Sequence, residues 1–102
     1  MIDKWIAMRY RDFYDLPRAF IVEFEGELLF FDCPFNDETD DYATEFTVYR
    51  VDGSLREQID TMSWVGLCAH GQRVGAVPVG VVEFDETRRK AVNSAVFALI
   101  GL

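Results

Sequence analysis

The clearest pattern along the chain is a pair of apolar runs that meet at one glycine. Residues 18–33 are rich in Phe, Leu, Ile and Val, and Glu25-Gly26-Glu27 divides them as a tight hairpin turn does, because glycine readily adopts a positive φ. A type I′ turn at Glu25-Gly26 would pair Phe20 with Phe31, and a type II′ turn at Gly26-Glu27 would shift the partners by two residues. Both registers predict the same core face, made of Phe20, Val22, Phe24, Leu29, Phe31 and Cys33.

The opposite face of this hairpin is half apolar. It carries Ala19, Ile21, Leu28 and Phe30 together with the acidic residues Glu23 and Asp32. A sheet face of this composition is usually covered by another surface. The pattern therefore predicts that the C-terminal helix or a partner surface covers it, and a homodimer is one form of such a partner.

Alternation of apolar and polar residues predicts further strands at 5–10, 44–51 and 73–84. The stretch 73–84 contains Pro78, which has no amide hydrogen to donate, so it is expected at a sheet edge or a bulge. Its two glycines, Gly75 and Gly80, are typical of a bent strand. Residues 11–17, 36–41 and 70–72 are predicted to be loops or turns.

Two segments show helical spacing instead. Ser54 and Glu57 match a capping box, which predicts a short middle helix continuing through Ile59 and Met62. Residues 64–69 are apolar and fit either a short strand or irregular packing. A last helix is expected to begin at Asp85 as its N-cap, with Val92, Val96 and Leu99 on one face and a break at Asn93-Ser94 as an alternative.

These elements predict one α+β domain over residues 1–102 that is mainly β. Its sheet is expected to be a small curved antiparallel sheet or a partly open barrel of about five strands, with the short middle helix and the C-terminal helix packed on it. Of the 102 residues, 50% are hydrophobic and 15% aromatic, which is enough for a core of large rings.

The net charge of the chain restricts the kinds of partner that it is expected to bind. The chain has 18 acidic and 10 basic residues, a net charge of −8, and 15 of the acids precede residue 61. Such a field repels nucleic acids and anionic membranes, and it attracts a basic protein or a cation. The basic run 88–90 is too short to reverse this expectation.

The first candidate surface is an acidic loop that contains Asp37, Glu38, Asp40 and Asp41. Clustered carboxylates bind hard cations in some proteins, but the spacing of an EF-hand is absent here. A solvated loop is the default interpretation. As a functional site, the loop suits a basic protein partner better than a metal.

The second candidate surface is the segment 9–15, which mixes charges with aromatic rings. Arginine and tyrosine are enriched where proteins bind each other. The alternative is a loop whose rings fold back onto the core. The residues of this candidate partner-binding surface are Arg9, Arg11, Asp12, Tyr14 and Asp15.

Residues with metal-ligating or nucleophilic chemistry are few. Cys33, Cys68 and His70 lack the paired spacing of a zinc site, and Cys33 falls on the predicted core face, where a buried free thiol is ordinary. No serine-nucleophile motif or phosphate-binding glycine loop occurs. We therefore predict no cofactor and no metal. With only two cysteines and no leader pattern, the expected location is the cytoplasm.

The sequence alone favours a non-enzymatic protein-binding or regulatory module. Its sharpest form is an inhibitor or immunity-type protein that shields a basic target. The alternatives are a small enzyme or ligand-binding barrel that uses Asp32 or Glu23 on the sheet as an acid or base, and a fold that depends on a metal in the acidic loop.

Overall fold

The computed structural model describes residues 5–100 except 15, 25, 56, 59, 60, 64, 65, 68, 70, 88 and 89, and it describes residues 11, 12 and 55 by their backbone alone. The strands are β1 (Trp5–Phe13), β2 (Pro17–Phe24), β3 (Glu27–Asp32), β4 (Phe35–Asn36), β5 (Asp41–Tyr42), β6 (Glu45–Val51), β7 (Gly71–Pro78) and β8 (Ala91–Asn93). The helix α1 spans Ala95–Ala98, and 3-10 turns span Gly53–Leu55 and Val79–Val81.

Six of these strands form one antiparallel sheet, in the order β7-β6-β3-β2-β1-β8, and β4 and β5 form a separate two-stranded sheet. The mainly β, antiparallel character predicted from the sequence is confirmed. Among the described residues no pairing joins β7 to β8, so these strands form an open sheet and not a closed barrel. The sheet has six strands instead of about five, because β8 lies where a helix was expected.

The central hairpin of β2 and β3 has the register of the type I′ alternative. Phe20 lies opposite Phe31 and Val22 opposite Leu29, and Gly26 has a φ of +80°. The rings of Phe20 and Phe31 stack with centroids 4.7 Å apart. The core predicted on this face is confirmed, and its buried members are Met8, Phe20, Val22, Leu29, Phe31, Cys33, Phe46, Val48, Val77, Val82, Val92, Val96 and Phe97.

The opposite face of the hairpin forms a second core. Its buried residues are Ala19, Ile21, Leu28 and Phe30, joined by Val51 and Leu67. Leu67 and the partly buried Met62 come from the segment between β6 and β7. The chain therefore contributes its own cover for this face, and the cover comes from that segment instead of from the C-terminal helix.

Gly71 permits this cover to approach the sheet closely. A Cβ atom at Gly71 would lie 2.8 Å from Tyr49 Cβ and 2.9 Å from the backbone oxygen of Leu67. Both distances are too short for a side chain, so the start of β7 requires glycine. Gly71 and Gln72 belong to β7 and not to a turn, whereas His70 lies outside the described residues.

The predicted middle helix is not confirmed. Gly53–Leu55 is a 3-10 turn in which Asp52 Oδ1 accepts the Ser54 amide at 2.8 Å, so the capping acceptor is Asp52. Arg56 and Ile59 lie outside the described residues. Helical backbone occurs instead at Gly66 and Leu67, within the stretch that fits either a strand or irregular packing by sequence.

The prediction of a last helix that begins at Asp85 is wrong, whereas a short helix does follow the alternative break at Asn93-Ser94. The Asp85 carboxylate accepts the backbone amides of Thr87, Lys90 and Ala91 at 3.0 to 3.1 Å, which closes a turn. Ala91–Asn93 then forms β8, which pairs with residues 5–7 of β1. Asp85 does accept backbone amides, as an N-cap would, but here they belong to a turn.

The helix α1 is a single turn that follows β8 directly. Asn93 Oδ1 accepts the Ala95 amide at 2.9 Å, while Ser94 occupies the N-cap position without a side-chain cap bond. Val96 and Phe97 enter the first core, and Leu99 is 59% exposed. Of the helices in the described part of the chain, none combines the length and apolarity that crossing a bilayer requires.

β7 is an edge strand, as predicted from Pro78. Its pairing with β6 shifts by one residue beside Val48 and Tyr49, because Val74 is an extra residue between Arg73 and Gly75. The strand ends at Pro78 and the chain turns through Val79–Val81, so the predicted strand 73–84 is shorter than expected.

Candidate functional site

The segment 11–17, predicted as a loop, is mostly strand. β1 continues to Phe13, which lies opposite Pro17 at the start of β2, with a register shift between Tyr10 and Asp12. The connection between these strands is short, and its Tyr14 side chain is 72% exposed. Asp15 lies outside the described residues, and Arg11 and Asp12 are described by backbone alone.

The acidic loop is the tip of a small hairpin formed by β4 and β5. Phe35 lies opposite Tyr42 and Asn36 opposite Asp41. Asn36 Oδ1 accepts the Glu38 amide at 2.9 Å, which is an Asx turn, and Asp40 adopts a left-handed φ of 54°. The backbone is thus folded back at the tip, and the four acidic residues Asp37, Glu38, Asp40 and Asp41 are exposed.

The Tyr42 ring brings the two predicted surfaces together. Its centroid lies 5.2 Å from that of Phe35 across the small hairpin and 5.8 Å from that of Tyr14 on the β1–β2 connection. Phe35 is 48% exposed and Tyr14 is more exposed still. We call the result the aromatic–acidic surface, which consists of Tyr14, Phe35, Asp37, Glu38, Asp40, Asp41 and Tyr42.

An open groove runs along the same hairpin. It is lined on the apolar side by Phe35, Tyr42 and Ala43 and on the polar side by Asp37 and Glu38. The aromatic rings provide apolar area whose burial against a partner is favourable, and the neighbouring carboxylates provide a negative potential. This combination suits a cationic side chain with an aliphatic stem.

Arg9 lies elsewhere. It is opposite Ile21 in the β1–β2 register, so its side chain is on the face of the second core, and it is exposed. Near it on the same face, Ala7 is exposed and Trp5 is 51% exposed. The candidate surface 9–15 is therefore divided between the face of the second core, where Arg9 lies, and the β1–β2 connection, and only Tyr14 is shown to join the aromatic–acidic surface.

Sequence reasoning missed three residues of this region, namely Arg18, Phe35 and Tyr42. Phe35 and Tyr42 flank the polar stretch 36–41, and apolar residues on both sides of a short polar segment are a hairpin signal that was available. The sequence contains no signal for Arg18. Its guanidinium lies 4.3 Å from the centroid of the Tyr42 ring, and the two residues are distant in sequence and meet only in the folded chain.

Cys33 confirms the prediction of a buried thiol. It is 1% exposed, and its Sγ donates to the backbone oxygen of Ala43 at 3.1 Å. The Ala43 amide in turn donates to the backbone oxygen of Pro34 at 2.8 Å, which closes the base of the small hairpin. Cys68 and His70, the other members of the zinc alternative, lie outside the described residues.

The carboxylates proposed for an enzyme are far apart. Glu23 lies opposite Leu28 and Asp32 opposite Ala19, so the two acids are four residues apart along the hairpin, about 13 Å. Over the described part of the chain, no three Asp, Glu, His or Cys side chains converge as metal ligands, and this includes the acidic loop. Neither a shared carboxylate pocket nor a metal centre is formed by these residues.

Of the carboxyl groups that the structure describes, two have a clearly lowered pKa, and both belong to turns. The Thr87 hydroxyl and the turn amides hold the pKa of Asp85 far below its ordinary value, and hydrogen bonds from Ser54 lower the pKa of Asp52. These shifts come from hydrogen bonds to the charged form, which stabilise the turns. Neither group belongs to the aromatic–acidic surface.

Comparison of the chain with protein-family models, with curated proteins and with solved structures gave no match in any of the three.

Proposed function

We propose that the protein is a non-enzymatic protein-binding module that binds a basic protein partner through its aromatic–acidic surface. The observation that carries the proposal is the meeting of the exposed rings of Tyr14 and Phe35 at Tyr42, next to four exposed carboxylates. Exposed tyrosine and phenylalanine at the centre of a charged rim are typical of protein interfaces.

The aromatic rings and the charges contribute to binding in different ways. The rings supply area that gains free energy on leaving water, and a cation placed over one of them adds about 0.5–1 kcal/mol at an exposed site. The carboxylates and the net charge of −8 speed the approach of a basic partner and disfavour acidic ones.

The sharper form of this proposal is an inhibitor or immunity-type role. A basic partner that handles nucleic acid presents cationic side chains spaced to meet phosphates, and a surface of carboxylates and rings competes for those same side chains. We further propose a cytoplasmic location, where the free thiol of Cys33 would stay reduced.

The proposal is tested with a fluorescein-labelled peptide of alternating arginine and glycine, and binding is measured by fluorescence anisotropy at low and at moderate salt. The surface variant is Asp37→Asn combined with Glu38→Gln. The matched control is Glu83→Gln combined with Glu86→Gln, which removes the same charge from two exposed acids outside the aromatic–acidic surface.

We expect the surface variant to weaken binding by about tenfold and the control by less than about twofold, since only the first removes carboxylates that contact the peptide. A peptide in which glutamate replaces arginine serves as the negative probe. If both variants lost the same affinity for the peptide, binding would depend only on the overall charge of the protein, and the assigned surface would be refuted. Absence of binding by the unmodified protein would refute a basic partner.

A further inference from the structure

The small hairpin that carries the acidic loop is too short to be stable alone. Each of its strands, Phe35–Asn36 and Asp41–Tyr42, has two residues, and it is not hydrogen-bonded into the main sheet as a strand. Even longer isolated hairpins are marginal in water. The orientation of the aromatic–acidic surface therefore depends on side chains that connect the hairpin to the rest of the molecule.

Tyr42 and Ala43 pack against the first core, the Tyr42 ring contacts Tyr14, and two sets of polar and cationic contacts add to this packing. The first is at the base, where Cys33 Sγ donates to Ala43 and the Ala43 amide donates to Pro34. The second is at the ring of Tyr42, where Arg18 of β2 places its guanidinium 4.3 Å from the ring centroid. The base fixes the neck of the hairpin, whereas the second contact bears directly on the ring that unites the surface.

Arg18 is itself held on two sides. Its Nη1 lies 3.5 Å from Cys33 Sγ as a donor, and its backbone oxygen accepts the Cys33 amide at 2.7 Å. Arg18 is half-buried and lies next to residues of the central hairpin that are fully buried. A planar guanidinium in this position connects the rigid sheet to the face of the Tyr42 ring.

We infer that Arg18 is the positioning residue of the aromatic–acidic surface, holding Tyr42 where it meets both Phe35 and Tyr14. Its importance for partner binding rests on the proposed function, but its effect on the hairpin does not. Since Arg18 already occupies one face of the Tyr42 ring, a cation of the partner has the rings of Phe35 and Tyr14 as its stacking surfaces.

The test uses amide hydrogen exchange in the free protein, measured by NMR at single residues. The amides of Ala43 and Glu38 report on the small hairpin, and the amide of Asn93, which donates to Glu83, reports on the distant sheet edge. The variants are Arg18→Met, which removes the guanidinium, and Arg18→Lys, which keeps the charge without the plane. Arg50→Met is the control, since Arg50 pairs with Glu27 in the main sheet.

With Arg18→Met we expect both hairpin amides to exchange about three- to tenfold faster, which corresponds to the loss of one cation–ring contact, while Asn93 is unchanged. Arg18→Lys is expected to lie between the parent and Arg18→Met, and Arg50→Met to leave the hairpin amides unaltered. Unchanged exchange at Ala43 and Glu38 would overturn the inference. Acceleration by the same factor at Asn93 would also overturn it, because the role would then be general stability.

If Arg18→Met does not fold, Arg18→Lys decides the question by the same criterion. The labelled arginine peptide separates this inference from the proposed function. A parent protein that binds no peptide refutes the proposed function while the exchange data still decide the role of Arg18. A parent that binds the peptide, together with an Arg18→Met protein whose hairpin exchange and affinity are both unaltered, refutes the positioning role alone.

Discussion

Two hairpins of this molecule, β2–β3 and β4–β5, are held in different ways. The β2–β3 hairpin is buried on both faces, with Phe20 and Phe31 in one core and Ile21 and Phe30 in the other. The β4–β5 hairpin has two residues in each strand and an exposed acidic tip. The first is stabilised by its own apolar pattern and the second by a few contacts from outside it. The part with the least stability of its own is therefore the part available for a partner.

The largest expected difference between the hairpins comes from removing one ring from each. Phe20→Ala deletes a fully buried ring that stacks on Phe31, and it should lower the free energy of unfolding by about 3–5 kcal/mol. Phe35→Ala removes a half-exposed ring and should cost less than about 1 kcal/mol. Urea unfolding followed by tryptophan fluorescence measures both. If the two variants lost similar free energies of unfolding, the two hairpins would not differ in how they are stabilised.

The next effect concerns the cover over the second face of the central hairpin. Gly71→Ala places a methyl group against Tyr49 and the backbone of Leu67, so we expect a loss of about 1–3 kcal/mol. Gly80→Ala is the control, because no atom lies within 4 Å of the added carbon. It should change stability by less than about 1 kcal/mol in thermal unfolding. A neutral Gly71→Ala would mean that the cover does not pack closely.

The turn after Phe84 is closed by the side chain of Asp85, so its effect on stability should depend on pH. The pKa of Asp85 is lowered from its ordinary value of 3.8, so its contribution to stability is complete above about pH 4 and is lost as the pH falls towards its folded-state pKa. Urea midpoints between about pH 5 and about pH 3 should fall less in Asp85→Asn than in the parent. Equal slopes would exclude Asp85 as a source of acid sensitivity.

The smallest effect is expected at the tip of the acidic loop. Asp40 has a left-handed φ, which asparagine also tolerates, so Asp40→Asn should change stability by less than about 0.5 kcal/mol. The same variant removes one carboxylate and should weaken binding of the arginine peptide by about twofold. A large loss of stability would show that the carboxylate of Asp40, and not only its backbone, shapes the loop.

The central hairpin was predictable because its signal is local. Gly26 marks the turn, alternation marks both faces, and the observed register is one of the two that the turn chemistry allows. The C-terminal region was not predictable in the same way. Ala91–Asn93 is a strand because it pairs with Trp5–Ala7 at the other end of the chain, and Val92 and Val96 fit a helical spacing equally well.

The candidate site was likewise predictable only where its signal is local. Composition identified the acidic tip, and residue type identified Tyr14. Their meeting at Tyr42 depends on the β1–β2 connection lying beside the small hairpin, which no local pattern encodes. The place of Arg18 above that ring follows from the pairing of β2 with β3 and is likewise a property of the whole fold.

The irregular edge of β7 affects how the molecule behaves at high concentration. A strand added to an edge needs donors and acceptors at every second residue, and the extra residue Val74 breaks that spacing in the middle of β7. Near the end, Pro78 offers no donor at all. The apolar run from Val74 to Val77 is thereby a poor template for intermolecular sheet growth, and this border of the sheet resists fibril formation.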